Sequence, residues 1–341
     1  MAIEPRVPRV ATRGARLAQR LLPLHRRLRK LRGRPYPMLR AGRWLRILGP
    51  GLITGAADDD PSGIGTYAQT GAAYGSGLLW LALYMLPLMI AVQEMCGRIG
   101  LVTGKGIAGV VRAHYSRRAL LIAVSLLFIA NTINIGADLG AMAASTRLLA
   151  PAAPYYPLLA AFALGMIALE VFVPYRQYAR VLKVLTLALF AYVIAGFVIH
   201  PAWGTLLLRT LIPSAQLTPA YLALVVALLG TTISPYLFFW QASEEVEETE
   251  QHQRDVLSED AARKLPSLLA QLKNLRIDTA VGMLASEVTT WFIIVTSSSA
   301  LHAHGITNIQ TADQAAAALR PLAGPFAETL FAAGIVGTGL L

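Results

Sequence analysis

The chain has 341 residues, 55% of them hydrophobic and only 14% charged, with a mean hydropathy of +0.53. Soluble domains carry roughly 25% charged residues, which excludes a water-soluble globular protein in favour of an integral membrane protein. The net charge of +11 is concentrated near the start, and the lone Cys96 excludes a disulfide framework or a multi-cysteine zinc site.

Fourteen of the thirty Lys and Arg residues lie between Arg6 and Arg46. Residues 1–45 therefore form a basic arm. It lacks aromatic interleaving and directly precedes the first apolar run, so it reads as a cytoplasmic arm touching anionic lipid rather than a nucleic-acid binder. No cleavable signal peptide is expected, because the first apolar stretch long enough for one lies beyond residue 46. The remainder, 46–341, reads as one transmembrane domain.

Hydropathy predicts eight membrane segments. The first covers about 46–72 and is interrupted at 58–63. The second runs from Leu78 to Cys96, the third from Ala119 to Leu149, and the fourth from Tyr155 to Val173. The fifth covers Val181 to Ile199, and the sixth covers about 219–243 with an interruption at Ile233-Ser234-Pro235. The seventh spans Ile277 to Leu301, and the eighth starts near Phe326. Basic residues recur in alternate connections: Arg98, Lys105, Arg112, Arg117 and Arg118, then Arg176, Arg180 and Lys183, then Arg254, Arg263, Lys264, Lys273 and Arg276. The other connections are nearly bare of them. That alternation predicts a cytoplasmic N-terminus, and an error of one segment would destroy it.

The first interruption carries three consecutive acids, Asp58, Asp59 and Asp60, followed by Pro61-Ser62-Gly63. One aspartate at mid-bilayer costs about 3 kcal/mol, and three on the order of 8 to 10 kcal/mol, unless they face protein, water or a cation. A broken helix with acids at the break is how transporters build ion sites. Neighbouring helical residues point about 100° apart, so the three acids cannot all face one ion. The second interruption offers Thr231, Thr232 and Ser234 as carbonyl or hydroxyl oxygens. The two breaks lie five segments apart, which puts the helices that carry them in opposite orientations. An inverted repeat of five plus five segments predicts this, with the site where the breaks meet. The second repeat is cut short at residue 341, as expected of a fragment.

On segment three, Asn131, Asn134 and Asp138 form a polar stripe that lines the pathway or bonds helix to helix. Gly136, Gly140 and Ala144 are spaced for close helix packing. Glu287 and Asp278 read as helix-end or interhelical partners. The acidic run Glu244–Glu248 reads as a solvated helix extension, with a metal-collecting vestibule as the alternative.

Gly49-Pro-Gly51, the Asp60-Pro61 break, Arg98-Ile-Gly-Leu-Val-Thr-Gly104 and Ile233-Ser-Pro235 together resemble the NRAMP family of divalent-metal transporters. The likeness covers about 45–341. It implies an all-α polytopic LeuT-type (APC superfamily) inverted-repeat bundle with helices 1 and 6 broken. In the family, an Asp-Pro-Gly-Asn motif supplies Asp and Asn ligands. Here Asp60 matches the Asp, Ser62 replaces Gly, and Gly63 replaces Asn. A Met-Pro-His motif supplies a sulfur ligand in the family, and Ser234-Pro235-Tyr236 replaces it. The resemblance puts a ligating backbone carbonyl on Thr231 and a proton-linked carboxylate on Asp138. Asn131, Tyr236 and Gln241 stand where the family has Glu, His and His.

Losing a thioether and keeping only oxygens shifts a site toward hard cations. The expected metal set is Asp60, Thr231, Ser234, Asp59 and Asp58, with Asp138, Asn131, Asn134 and Tyr236 as proton pathway or polar lining. The expected activity is transport of divalent cations of the Mn²⁺/Mg²⁺ type by alternating access with little proton coupling, in a bacterial plasma membrane; a general Mn/Fe transporter is the more conservative reading of the resemblance. The metal is cargo and no cofactor is expected; the partners are that ion and lipid, not nucleic acid. A non-transporting, metal-sensing relative is the alternative. Three acids at the break argue against an organic-substrate carrier. No phosphate-binding Gly-x-x-x-x-Gly-Lys motif or nucleophile–base pair points to a pump or an enzyme.

Overall fold

The computed structural model of the protein describes residues 49–173, 175–258 and 267–340. The basic arm at 1–45 lies outside the described residues. The helices are α1 Pro50–Ala57, α2 Pro61–Tyr74, α3 Leu79–Thr103, α4 Ile107–His114, α5 Arg117–Leu149, α6 Tyr155–Phe172, α7 Tyr175–Leu185, α8 Phe190–Val198, α9 Trp203–Leu211, α10 Pro219–Thr232, α11 Pro235–Ser258, α12 Leu268–Ala300 and α13 Ala312–Gly339. Six of these starts have a local cause. Pro50, Pro61, Pro219 and Pro235 open helices at the first position, where a missing N–H costs nothing. Ser116, Thr218 and Ser267 cap α5, α10 and α12 by accepting the N–H of Ala119, Tyr221 and Ala270.

Among the described residues, six helical stretches are long and apolar enough to cross a membrane. One of them, Pro61–Thr103, merges α2 with α3 and so holds half of the first predicted segment and all of the second. The eighth predicted segment lies on α13, whose first half is polarised by Asp313 and Arg320. Gly324 (φ 85°, ψ 169°) kinks α13, so its second part starts at Pro325, next to the expected Phe326. The short helices α4 and α9 were not anticipated, because eight or nine residues leave too weak a periodic signal.

Contacts between helices fix their directions. Along α1–α2 and α12, Gly55 meets Gly282, Asp58 meets Ser286, Asp59 meets Thr290, and Gly71 meets Ile294. Both numbers rise together, so segments one and seven run parallel. Gln93 with Leu237 and Gly100 with Ala242 make segments two and six parallel. Thr54 with Gln241 and Asp60 with Tyr236 make segments one and six antiparallel. These directions agree with eight alternating crossings and with two broken helices of opposite orientation.

The bundle is built around α12. In its most apolar window 67% of residues are buried, against none in the windows of α5 and α6. α12 reaches both halves of the first segment through glycines. A Cβ on Gly55 would lie 2.3 Å from the Gly282 carbonyl carbon, and one on Gly71 would lie 2.5 Å from the Ile294 oxygen. Small residues let membrane helices touch backbone to backbone in this way. The expected spacing on α5 is used only in part: a Cβ on Gly140 would meet the Tyr155 hydroxyl at 3.3 Å, while Gly136 has no atom within 4 Å. The acidic run is a helical extension of α11, but Glu244 and Glu245 are buried rather than solvated.

Candidate functional site

The first break is three residues long, shorter than the 58–63 expected. α1 ends at Ala57, Asp58 and Asp59 form a turn, and Asp60 is extended (φ −65°, ψ 163°) as the cap of α2. Pro61 and Gly63 lie inside α2 rather than in an unwound stretch. The second break is Ile233-Ser234, between α10 and α11.

Asp60 is 7% exposed and takes hydrogen bonds from three helices. Its Oδ1 accepts the Gly63 N–H at 2.6 Å and lies 2.7 Å from the Ser62 hydroxyl. Its Oδ2 accepts the Asn134 amide at 2.8 Å and the Tyr236 hydroxyl at 2.7 Å. A carboxylate offers about four acceptor directions, and here all four are engaged. Asp138 joins the group by accepting the Ser62 N–H at 3.0 Å and the Asn134 amide at 3.1 Å. Ser62 Oγ also lies 2.6 Å from Asn134 Oδ1, so its single proton serves two acceptors. Asn131, one turn earlier on α5, takes no part in this network.

Beside Asp60, three oxygens close in on the space that a side chain at Gly63 would fill. A Cβ on Gly63 would stand 3.2 Å from the Asp58 carbonyl, 3.2 Å from Asp60 Oδ1 and 3.3 Å from the Thr231 hydroxyl. Thr231 thus comes from the second break to face the first. Ser234 does not point into this space. Its hydroxyl donates to the carbonyls of Thr231 and Gly230, closing the end of α10. It therefore modifies the expected carbonyl ligand rather than joining it directly. Tyr67, in van der Waals contact with the core, has its hydroxyl 3.3 Å from that of Thr232, a further tie between the breaks.

Asp58 and Asp59 turn the other way, toward α12. Asp58 accepts the Ser286 hydroxyl at 2.9 Å and Asp59 the Thr290 hydroxyl at 3.1 Å. The structure thus unites Asp60, Thr231, Asn134, Asp138 and Tyr236 but separates Asp58 and Asp59 from them. Among the described residues, no three His, Cys, Asp or Glu side chains form a ready chelate. An ion at Asp60 must draw on carbonyl, hydroxyl or water oxygens as well.

Two features on either side of the site hold it in place. Asp278 accepts the N–H groups of Gly49, Gly51 and Leu52 at 2.8, 2.7 and 3.1 Å, fastening the start of α1 to α12. Gln241 accepts from Thr54 and Gln93 and donates to Glu245, linking segments one, two and six. A cleft of about 590 Å³ lies between α2 and α10, lined in part by Gln69, Tyr74 and Leu224. Gln69 is seven residues beyond Ser62, so both lie on one face of α2.

Ser62, which the sequence marks only as standing in place of the family's Gly, joins the Asp60 network through both its N–H and its hydroxyl.

The chain is 25% identical over 302 residues to the divalent metal cation transporter MntH of Pectobacterium carotovorum, covering 87% of this chain and 68% of that one. It is 26% identical over 304 residues to MntH of Chromohalobacter salexigens, covering 87% and 67%. Two structures of the Eremococcus coleocola manganese transporter share the fold. One is a complex with an aromatic bis-isothiourea substituted compound, with a TM-score of 0.66, 18% identity and 89% of this chain covered. The other is a mutant, with a TM-score of 0.69, 19% identity and 90% covered. The chain spans 64% of the length of those solved chains and about two thirds of the MntH relatives. The family model for natural resistance-associated macrophage protein-like (Nramp) proteins matches residues 51–341, and the chain belongs to that family.

Proposed function

We propose that the protein carries a divalent metal cation across the membrane, binding it beside Asp60 between the two broken helices. The single observation that carries this reading is the buried Asp60 carboxylate at the first break, with Thr231 and Tyr236 of the second break around it. Membership of the Nramp family and the names of the MntH relatives support the cargo class.

The lining is made of oxygens: the Asp60 carboxylate, the Asp58 carbonyl and the Thr231 hydroxyl. Hard cations such as Mg²⁺ and Mn²⁺ suit such ligands, and the second break carries Ser234 rather than a thioether that would favour a soft ion. The cation displaces at least one of the four donors on Asp60, with the Tyr236 and Ser62 hydroxyls free to rotate away. Alternating access follows from rocking around the two breaks. Asp138 shares Asn134 and Ser62 with Asp60 and is the remaining carboxylate suited to proton movement, so coupling is weak.

The test is uptake of Mg²⁺, Mn²⁺ and Cd²⁺ into proteoliposomes by wild type and Asp60→Ala. Uptake of Mg²⁺ and Mn²⁺ that falls at least tenfold in the variant is expected. Strong preference for Cd²⁺ would overturn the hard-cation reading, and binding without flux would overturn transport. Lumenal acidification in proportion to metal flux would overturn weak coupling.

A further inference from the structure

The Asp60 network leaves three neighbouring carboxylates without compensation. Asp58 and Asp59 have no exposed surface, and Glu287 on α12 is 4% exposed. Four of their oxygens have no hydrogen-bond partner: Asp58 Oδ1, Asp59 Oδ2 and both oxygens of Glu287. The remaining two are held by the Ser286 and Thr290 hydroxyls.

Helical register puts Glu287 at the same level. It follows Ser286 directly and precedes Thr290 by three residues, so it lies along the α12 face that meets the break. The Gly55–Gly282 and Gly71–Ile294 contacts pin α12 below and above this level. Glu287 is within electrostatic reach of Asp58 and Asp59, and among the described residues no Lys, Arg or His acts on any of the three. Buried polar groups in proteins are hydrogen-bonded, and buried carboxylates are paired, neutralised or bound to metals; four of these oxygens have no hydrogen-bond partner.

We propose that Asp58, Asp59 and Glu287 form a second cation site, separate from Asp60, that takes a hard divalent ion. Unpaired carboxylate oxygens flanked by hydroxyls are hard ligands, and a doubly charged ion balances three acids better than a singly charged one. The three acids do not stand at direct chelating geometry, so the ion retains part of its water shell, as Mg²⁺ does readily. It lies between the first break and α12 rather than between the two breaks, and it fastens segment one to segment seven. The assignment rests on burial and missing partners alone, independently of the transport reading.

Equilibrium binding of Mn²⁺ to the purified protein in detergent tests it, with melting temperature as a second readout. Wild type is expected to bind two Mn²⁺ per chain, Asp60→Ala one, Glu287→Gln one, and the double variant none. Glu287→Gln keeps the shape and removes a buried carboxyl that has no partner, so its metal-free melting temperature does not fall while part of the Mn²⁺-induced increase disappears. One Mn²⁺ per wild-type chain, lost in Asp60→Ala, would overturn the second site. So would an unchanged count in Glu287→Gln. If Glu287→Gln does not fold, Asp60→Ala alone decides: one retained Mn²⁺ supports the site and none overturns it. Failure of the Asp60 reading looks different, since Asp60→Ala would then leave metal uptake intact.

Discussion

Tyr236 donates its hydroxyl to Asp60 Oδ2 at 2.7 Å, so the residue just after the second break holds the acid at the first. Together with Asn134, Ser62 and Gly63 it fills every acceptor direction of that carboxylate. A cation approaching Asp60 competes with these donors. A hydrogen bond to a charged group contributes about 1.5–3 kcal/mol, so removing one eases that competition. Tyr236→Phe is expected to tighten Mn²⁺ binding by about 3- to 10-fold, within what 1.4 kcal/mol per decade allows. Titration calorimetry checks it, and weaker binding would mean that the hydroxyl is itself a ligand.

The positions of both breaks were legible in the sequence. Asp60-Pro61 and Ser234-Pro235 each pair a helix-capping side chain with a residue that cannot continue an upstream hydrogen-bond ladder. The alternation of basic connections also carried the order of crossings. The rotation of each helix about its own axis was not legible. Hydrophobic periodicity tells which residues share a face, not which neighbour that face meets. Asp58 and Asp59 turn to α12 because Gly51, Gly55 and Gly282 bring the two backbones together on that side. Three glycines in two distant segments have no pairing signal in one sequence. Ser234 shows the same limit: a hydroxyl at a break serves equally as ligand or cap, and the cap won because the Thr231 carbonyl lies within its reach.

The closest backbone approach sets a second expectation. A Cβ on Gly282 would stand 1.9 Å from the Gly51 oxygen, and neither helix can yield without moving the break. Overpacking of this kind costs about 1–3 kcal/mol, occasionally more. Gly282→Ala is expected to lower the melting temperature and reduce metal uptake together. Gly136→Ala, with nothing within 4 Å, leaves both unchanged. Equal behaviour of the two variants would contradict the packing described.

Asp278 provides a third. Its carboxylate receives three N–H groups at the start of α1 while only 2% exposed. Negative charge at a helix N-terminus is stabilising, most strongly when partly buried. In Asp278→Asn one oxygen is exchanged for an amide that faces donors, and about 2 kcal/mol of stability is lost. Thermal unfolding in detergent measures it, with no loss as the contrary result.

The basic connections predict a sidedness that accessible cysteines can check. Cys96 is buried and is replaced by Ala to give a clean background. Lys105 and Thr307 are exposed and lie in connections of opposite type. A membrane-impermeant maleimide applied to intact cells should label Thr307→Cys and spare Lys105→Cys until the cells are opened. The reverse pattern would place the N-terminus outside.

Ser234 offers the sharpest test of the oxygen lining. It is 1% exposed and spends its hydroxyl on the Thr231 carbonyl. Ser234→Met removes that donor and places a soft, polarizable sulfur at the second break. Thioethers favour soft ions over Mg²⁺. The Cd²⁺-to-Mg²⁺ uptake ratio is therefore expected to rise by about tenfold, equivalent to about 1.4 kcal/mol of ligand preference. Ser234→Ala separates the two effects. It frees the same carbonyl without adding sulfur, so it changes affinity for both ions alike and leaves their ratio near that of wild type. A ratio that shifts equally in both variants would assign selectivity to the Thr231 carbonyl instead of the missing sulfur.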